Sequence, residues 1–140
     1  MALNGLLSGW AFLVGRVLFG GVLAFMGLNH FQQPEGLAGY AESKGVPAPT
    51  LAVYGSGALL VLGGLSLAAG VYPVVGALAV AAFFVVTTPW IHDFWNVEDP
   101  DQRQQQMTQF LKNAALLGGA LVLFALTAAD WPFSAGLGLL

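Results

Sequence analysis

Three apolar runs in this chain, Trp10–Leu28, Thr50–Gly70 and Pro73–Trp90, are each about as long as a bilayer crossing requires. A fourth, Ala114–Ala128, continues from a polar helical stretch. A helix needs about 20 predominantly apolar residues to cross a hydrocarbon core about 30 Å thick. Charge is correspondingly scarce: 8% of the 140 residues are Asp, Glu, Lys or Arg, against about 25% in soluble domains. Eleven charges cannot cover a water-facing surface of this size. In lipid the backbone must satisfy its own hydrogen bonds, which leaves helices or a closed barrel, and runs of this length favour helices. The expected fold is therefore an all-α membrane protein: a four-transmembrane-helix bundle in a single domain over 1–140, with spans at about 10–29, 50–70, 73–91 and 106–128.

The small net charge of −3 lies in the connections and argues against nucleic-acid binding. The absence of cysteine rules out disulfides, thiolate metal ligands and dithiol relays. Residues 1–9 carry no Lys or Arg, and the first apolar run is too long for a signal-peptide core, so no cleaved leader is expected.

Along the first span, Trp10 suits an interfacial anchor, and Gly15, Gly20, Gly21 and Gly27 would let a neighbouring helix approach. Arg16 interrupts the span at a cost of at least about 2.5 kcal/mol. It either has a structural role, snorkelling or pairing inside the bundle, or binds a substrate or partner. Asp130 is the one acid on the terminus side, so an Arg16–Asp130 pair closing the bundle is the structural expectation. Pro34–Gly45 reads as a short interfacial helix between the first two spans, with Pro at its start and Gly beyond its end. Gly57, Gly63 and Gly64 mark contact points on the second span. Val71-Tyr72-Pro73 allows only a tight turn, so the second and third spans form an antiparallel hairpin, and Pro89 bends or ends the third.

Thr87–Asn113 separates the last two long apolar segments. It holds five of the eleven charged residues before Lys112 is counted, with His92, Trp90 and Trp95. Asp99-Pro100-Asp101-Gln102 has the form of a helix start, with Asp99 as the cap. Gln102, Gln105, Gln106, Gln109, Lys112 and Asn113 then recur at three- and four-residue spacing, a polar stripe that should face the bundle or a wet cavity.

Four spans place both termini on one side. Lys44 and Arg103 lie in the two long connections and lean that face toward the cytoplasm. His30 and His92 then fall at similar depth, near Asn29, Glu35, Asp93 and Lys112. Three chemistries fit. The imidazoles could ligate haem, or a divalent metal with a carboxylate. They could serve a quinone, whose ring needs an apolar slot and whose oxygens need polar partners. Or Trp90, Phe94 and Trp95 form an interfacial belt while Asp93 and Asn96 satisfy backbone ends. The candidate ligand, quinone or partner site is His30, Asn29, Trp90, His92, Asp93, Asn96, Gln109, Lys112 and Asn113; no catalytic residue is assigned and no metal is expected. No hydrolytic triad, P-loop or dinucleotide fingerprint is present.

The intramembrane Arg16, Gly27-Leu28-Asn29-His30-Phe31, the turn Lys44-Gly45-Val46-Pro47-Ala48-Pro49, His92-Asp93-Phe94-Trp95-Asn96 and Gln109-Phe110-Leu111-Lys112-Asn113 together resemble the DoxX family. These are small four-helix membrane proteins related to the DoxD-like subunits of thiosulfate:quinone oxidoreductase. His30 stands where members often carry Lys. The resemblance implies an accessory or small subunit of a redox complex, with a quinone as the candidate cofactor. It points to Arg16, His30, His92, Asp93, Lys112 and Asn113 without giving any of them a catalytic role. The competing expectation is a non-enzymatic scaffold that docks a partner through its loop face. Either way the expected surroundings are the lipid bilayer of the cell membrane, multi-pass, with other membrane subunits or further copies of the chain as partners.

Overall fold

The computed structural model describes residue 3 and residues 5–135. Its elements are α1 (Leu6–Gln32), α2 (Pro34–Ser43), α3 (Pro49–Ala69), α4 (Pro73–Ile91), a single 3-10 turn at Phe94–Asn96, and α5 (Pro100–Leu126). Among the described residues, four helices are long and apolar enough to cross a membrane. Large apolar side chains such as Leu18, Phe25, Leu62, Val86 and Val122 are exposed on their outer faces. A water-soluble protein does not leave so much apolar surface uncovered, so the chain is a multi-pass membrane protein. α1 extends about one turn beyond the expected span at each end.

The helix starts follow the local sequence. Pro34, Pro49, Pro73 and Pro100 each occupy the first helical position, where a missing N–H costs nothing. Asp99 Oδ2 accepts a bond from Gln102 N at 3.0 Å, the expected cap. Gly70 ends α3 at φ 72°, and Ser66 O accepts from Gly70 N at 2.9 Å. Pro89 lies inside α4, which stops at Ile91.

The spans form a row in which α1 packs along α3, α3 against α4, and α4 against α5. The α1–α3 contact is made at small residues. A Cβ on Gly20 would strike the backbone of Gly64 and Ala68, and one on Gly64 the backbone of Gly20 and Ala24. Gly27 and Gly57 face the same seam, and Gly63 meets Gly76 of α4. Gly15 and Gly21 have open space around them. The expectation that they too receive a neighbour is corrected, because they lie off the α1 face that carries Arg16, Gly20, Leu23 and Gly27. Leu23, Leu60, Leu67, Ala77, Val80, Phe84, Ala120 and Leu123 fill the centre.

Described residues near both termini meet at one end of the bundle. Trp10 and Phe133 stack with ring centroids 4.8 Å apart. Arg16 is 1% exposed. Its guanidinium donates to Pro132 O at 2.6 Å, to Ala68 O at 3.3 Å, and to Phe133 O. The rings of Phe12 and Trp131 flank it at 5.4 and 5.7 Å. The expected Arg16–Asp130 pair does not form: Asp130 is exposed, and among the described residues the one ion pair joins Lys44 and Asp93. Backbone carbonyls at the end of α3 and in the returning tail answer Arg16 instead.

Candidate functional site

α1 and α5 stand at the two ends of the row and share no extended backbone contact. Near the termini, side chains close the gap between them. Phe19 of α1 lies over Gly119, and Phe12 meets Trp131 edge-on at 5.0 Å. Toward the loop face the helices part around a cavity of about 410 Å³. Leu23, Leu60 and Phe84 form its inner wall, with Phe25 and Met26 on its α1 edge. Asn29 and His30 enter from α1, His92 from the end of α4, and Gln109, Lys112 and Asn113 from α5. At 1.5 Å per residue, Leu23 lies about 14 Å below the end of α1, a hydrocarbon depth.

The structure thus brings together six of the nine candidate residues. His30 is held by α3. Its Nδ1 lies 3.0 Å from Val53 O and 3.0 Å from Ser56 Oγ, while the Ser56 hydroxyl donates to Val53 O at 3.0 Å. Gly57 makes this possible, since a Cβ there would collide with the His30 side chain. The ring meets Phe83, another wall residue, in a T-shaped arrangement at 6.1 Å. His92 is held by α5, with Nδ1 at 2.8 Å from Gln106 Oε1. Lys112 has no acidic partner among the described residues, and Asn113 is buried. Along the polar stripe of α5, Gln102 and Gln105 are exposed, Gln106 and Gln109 half-buried and Asn113 buried, while Lys112 beside it stays exposed. No group of three or more metal-ligating side chains comes together among the described residues. A larger groove of about 620 Å³, between α3 and α4, contains none of the candidate residues.

Trp90, Asp93 and Asn96 belong to a different arrangement, which ties α2 to the end of α4. Lys44 Nζ donates to Asp93 Oδ1 at 2.6 Å, Asn96 Nδ2 to Asp93 Oδ2 at 3.1 Å, Trp90 Nε1 to Lys44 O at 2.9 Å, and Tyr40 OH to Ile91 O at 3.3 Å. The hydrogen bond to Asp93 raises the Lys44 ammonium above its ordinary value, against a smaller opposing effect of partial burial. A raised lysine contributes stability that is fully present below its unfolded value and is lost only as pH rises through the folded one. The tie therefore persists through neutral pH. Lys44→Met is expected to cost about 1 kcal/mol, read as a lowered Tm in detergent at pH 7, with the difference from wild type vanishing at strongly alkaline pH.

Sequence reasoning passed over Ser56 and the Val53 carbonyl, which fix His30, and did not single out Gln106 beyond its place in the stripe. Ser56 is one of two serines in the largely apolar second span, and that was the available signal. The Lys44–Asp93 pair was missed because 49 residues separate its partners.

A membrane-spanning helical bundle with a partly polar cavity near its loop face is the class that this fold and site define. Residues 11–93 match the DoxX family profile. That is more than half of the chain, which belongs to the DoxX family. The match runs through α1–α4, so Gln109, Lys112 and Asn113 of α5 lie beyond it. No curated protein and no solved structure matches the chain.

Proposed function

We propose that this DoxX-family protein is a small subunit of a quinone-linked redox assembly in the cell membrane, and that the α1–α5 cavity receives the carrier's head group. One observation supports this most: the cavity combines apolar walls with unpaired polar groups and lies between two helices that do not pack on each other at that depth. A carrier dissolved in the bilayer could enter from the side and leave its tail in lipid. Binding sites of this kind are mostly apolar, with a few convergent polar groups that fix orientation. Lys112, Asn113 and Gln109 supply donors for ring oxygens, and the imidazoles of His30 and His92 supply further polar partners.

The second reading is docking of a partner through the loop face. It rests on Phe94, Trp95 and Phe110, whose rings pack edge-on at 5.3–5.8 Å, with Trp95 exposed. Purification from native membranes followed by solvent extraction separates the two. Stoichiometric quinone in the wild type, strongly reduced in Lys112→Leu, is the expected result. A quinone-free protein that co-elutes with another subunit would replace this reading with the docking one.

A further inference from the structure

Resting on that reading of the cavity, we infer that the site selects the reduced, dihydroxy form of an aromatic carrier over the oxidised dicarbonyl form, through the Nε2 lone pairs of His30 and His92. The tautomers follow from the partners. A backbone carbonyl only accepts, so the 3.0 Å contact from His30 Nδ1 to Val53 O places the ring proton on Nδ1. Ser56 agrees with this assignment. With its hydroxyl donating to the same carbonyl at 3.0 Å, its oxygen is left to accept from Nδ1. His92 is alike, since Gln106 Oε1 at 2.8 Å accepts from its Nδ1. In each neutral ring Nε2 is then a bare acceptor, and among the described residues nothing donates to it. Both residues line the same cavity.

Two fixed acceptors discriminate by what the ligand can donate. A phenolic hydroxyl gives its proton to Nε2 while its oxygen accepts from Lys112 or an amide. A quinone carbonyl can take the Lys112 or amide bond equally well, but it confronts Nε2 with a second lone pair and leaves both unsatisfied. A site built to hydrogen-bond a hydroxyl rejects the analogue that lacks it, because its own polar group is left unpaired. The donors of the cavity are indifferent to oxidation state, and the two imidazoles are not. The selectivity is therefore theirs.

The test uses the full chain in lipid nanodiscs and three probes: a decyl-substituted 1,4-benzohydroquinone, the matching benzoquinone, and the dimethyl ether of the hydroquinone. The ether keeps the ring and tail but has no proton to give. The hydroquinone should bind at least about tenfold more tightly than either other probe. Each tenfold preference raises the midpoint potential of the bound couple by about 30 mV. His30→Phe and His92→Phe, made separately on two different elements, should each reduce the preference while the benzoquinone still binds. Equal or tighter binding of the benzoquinone overturns the selectivity and leaves the site standing. A preference unchanged in both variants overturns the role of the imidazoles. Failure of all three probes to bind overturns the quinone reading itself.

Discussion

Gly64→Val is expected to destabilise the bundle by about 3 kcal/mol or more, seen as loss of the monodisperse species and of the thermal transition in detergent. The reason is that α1 and α3 meet backbone to backbone. Gly20 and Ala24 of α1 face Gly64 and Ala68 of α3, the same small-x-x-x-small spacing on both helices. A Cβ on Gly64 would lie 2.8 Å from Ala24 N and closer still to Gly20 O. Neither obstacle is a side chain that can rotate away, so relief requires the helices to separate along their whole seam. That separation would also release His30 from Val53 and open the inner wall of the cavity. Gly21→Ala is the control. It has the same chemistry one position from Gly20, but nothing lies within 4 Å of its Cβ, so it should leave stability unchanged or raise it by up to about 1 kcal/mol.

That contrast shows what could be read in advance and what could not. Span number, hairpin topology and helix starts follow from run length, proline position and the Asp99 cap, all of which are local. The phase of α1 is not local. Gly15, Gly20, Gly21 and Gly27 are equivalent in composition, and only the face shared with Arg16 and Leu23 separates those that touch α3 from those that touch lipid. The seven-residue recurrence of Gly20 and Gly27 is the one trace of that phase within the chain.

The candidate residues divide on similar grounds. His30 and His92 sit at the same ends of two helices that run in the same direction, so topology alone brings them near one another. Lys112 and Asn113 follow from the stripe of α5. Trp90, Asp93 and Asn96 are close in sequence to His92, yet they bond to Lys44 beyond the end of α2 and to one another instead of entering the cavity. The clamp on the His30 ring depends on the register of α3 against α1, a relation set by glycine contacts between helices and by no pattern within either one.

Arg16→Met is expected to cost about 3 kcal/mol or more, since each buried carbonyl left without a donor costs about 1–3 kcal/mol, and the loss should appear first at residues 131–135. The guanidinium is the common donor to three backbone carbonyls, at Ala68, Pro132 and Phe133. Methionine fills much of the same volume between Phe12 and Trp131 but leaves those carbonyls without donors in a water-poor site. Lysine is not a rescue: its ammonium is a point donor, whereas three carbonyls arriving from two segments are matched by the fork of a guanidinium. Arg16→Lys should therefore recover charge and little stability. The tail is also held independently by Ala135 N donating to Ala69 O at 2.8 Å and by Trp131 Nε1 donating to Leu126 O at 2.9 Å, so it should loosen rather than detach completely. Hydrogen exchange would show this as faster exchange at 131–135, with α3 and α4 protected as before. Asp130→Asn discriminates between the two accounts of the buried charge. If Arg16 were balanced by a carboxylate, the Asn variant would approach the instability of Arg16→Met. With carbonyls as the partners, Asp130→Asn should stay within about 0.5 kcal/mol of wild type, as expected for an exposed surface side chain.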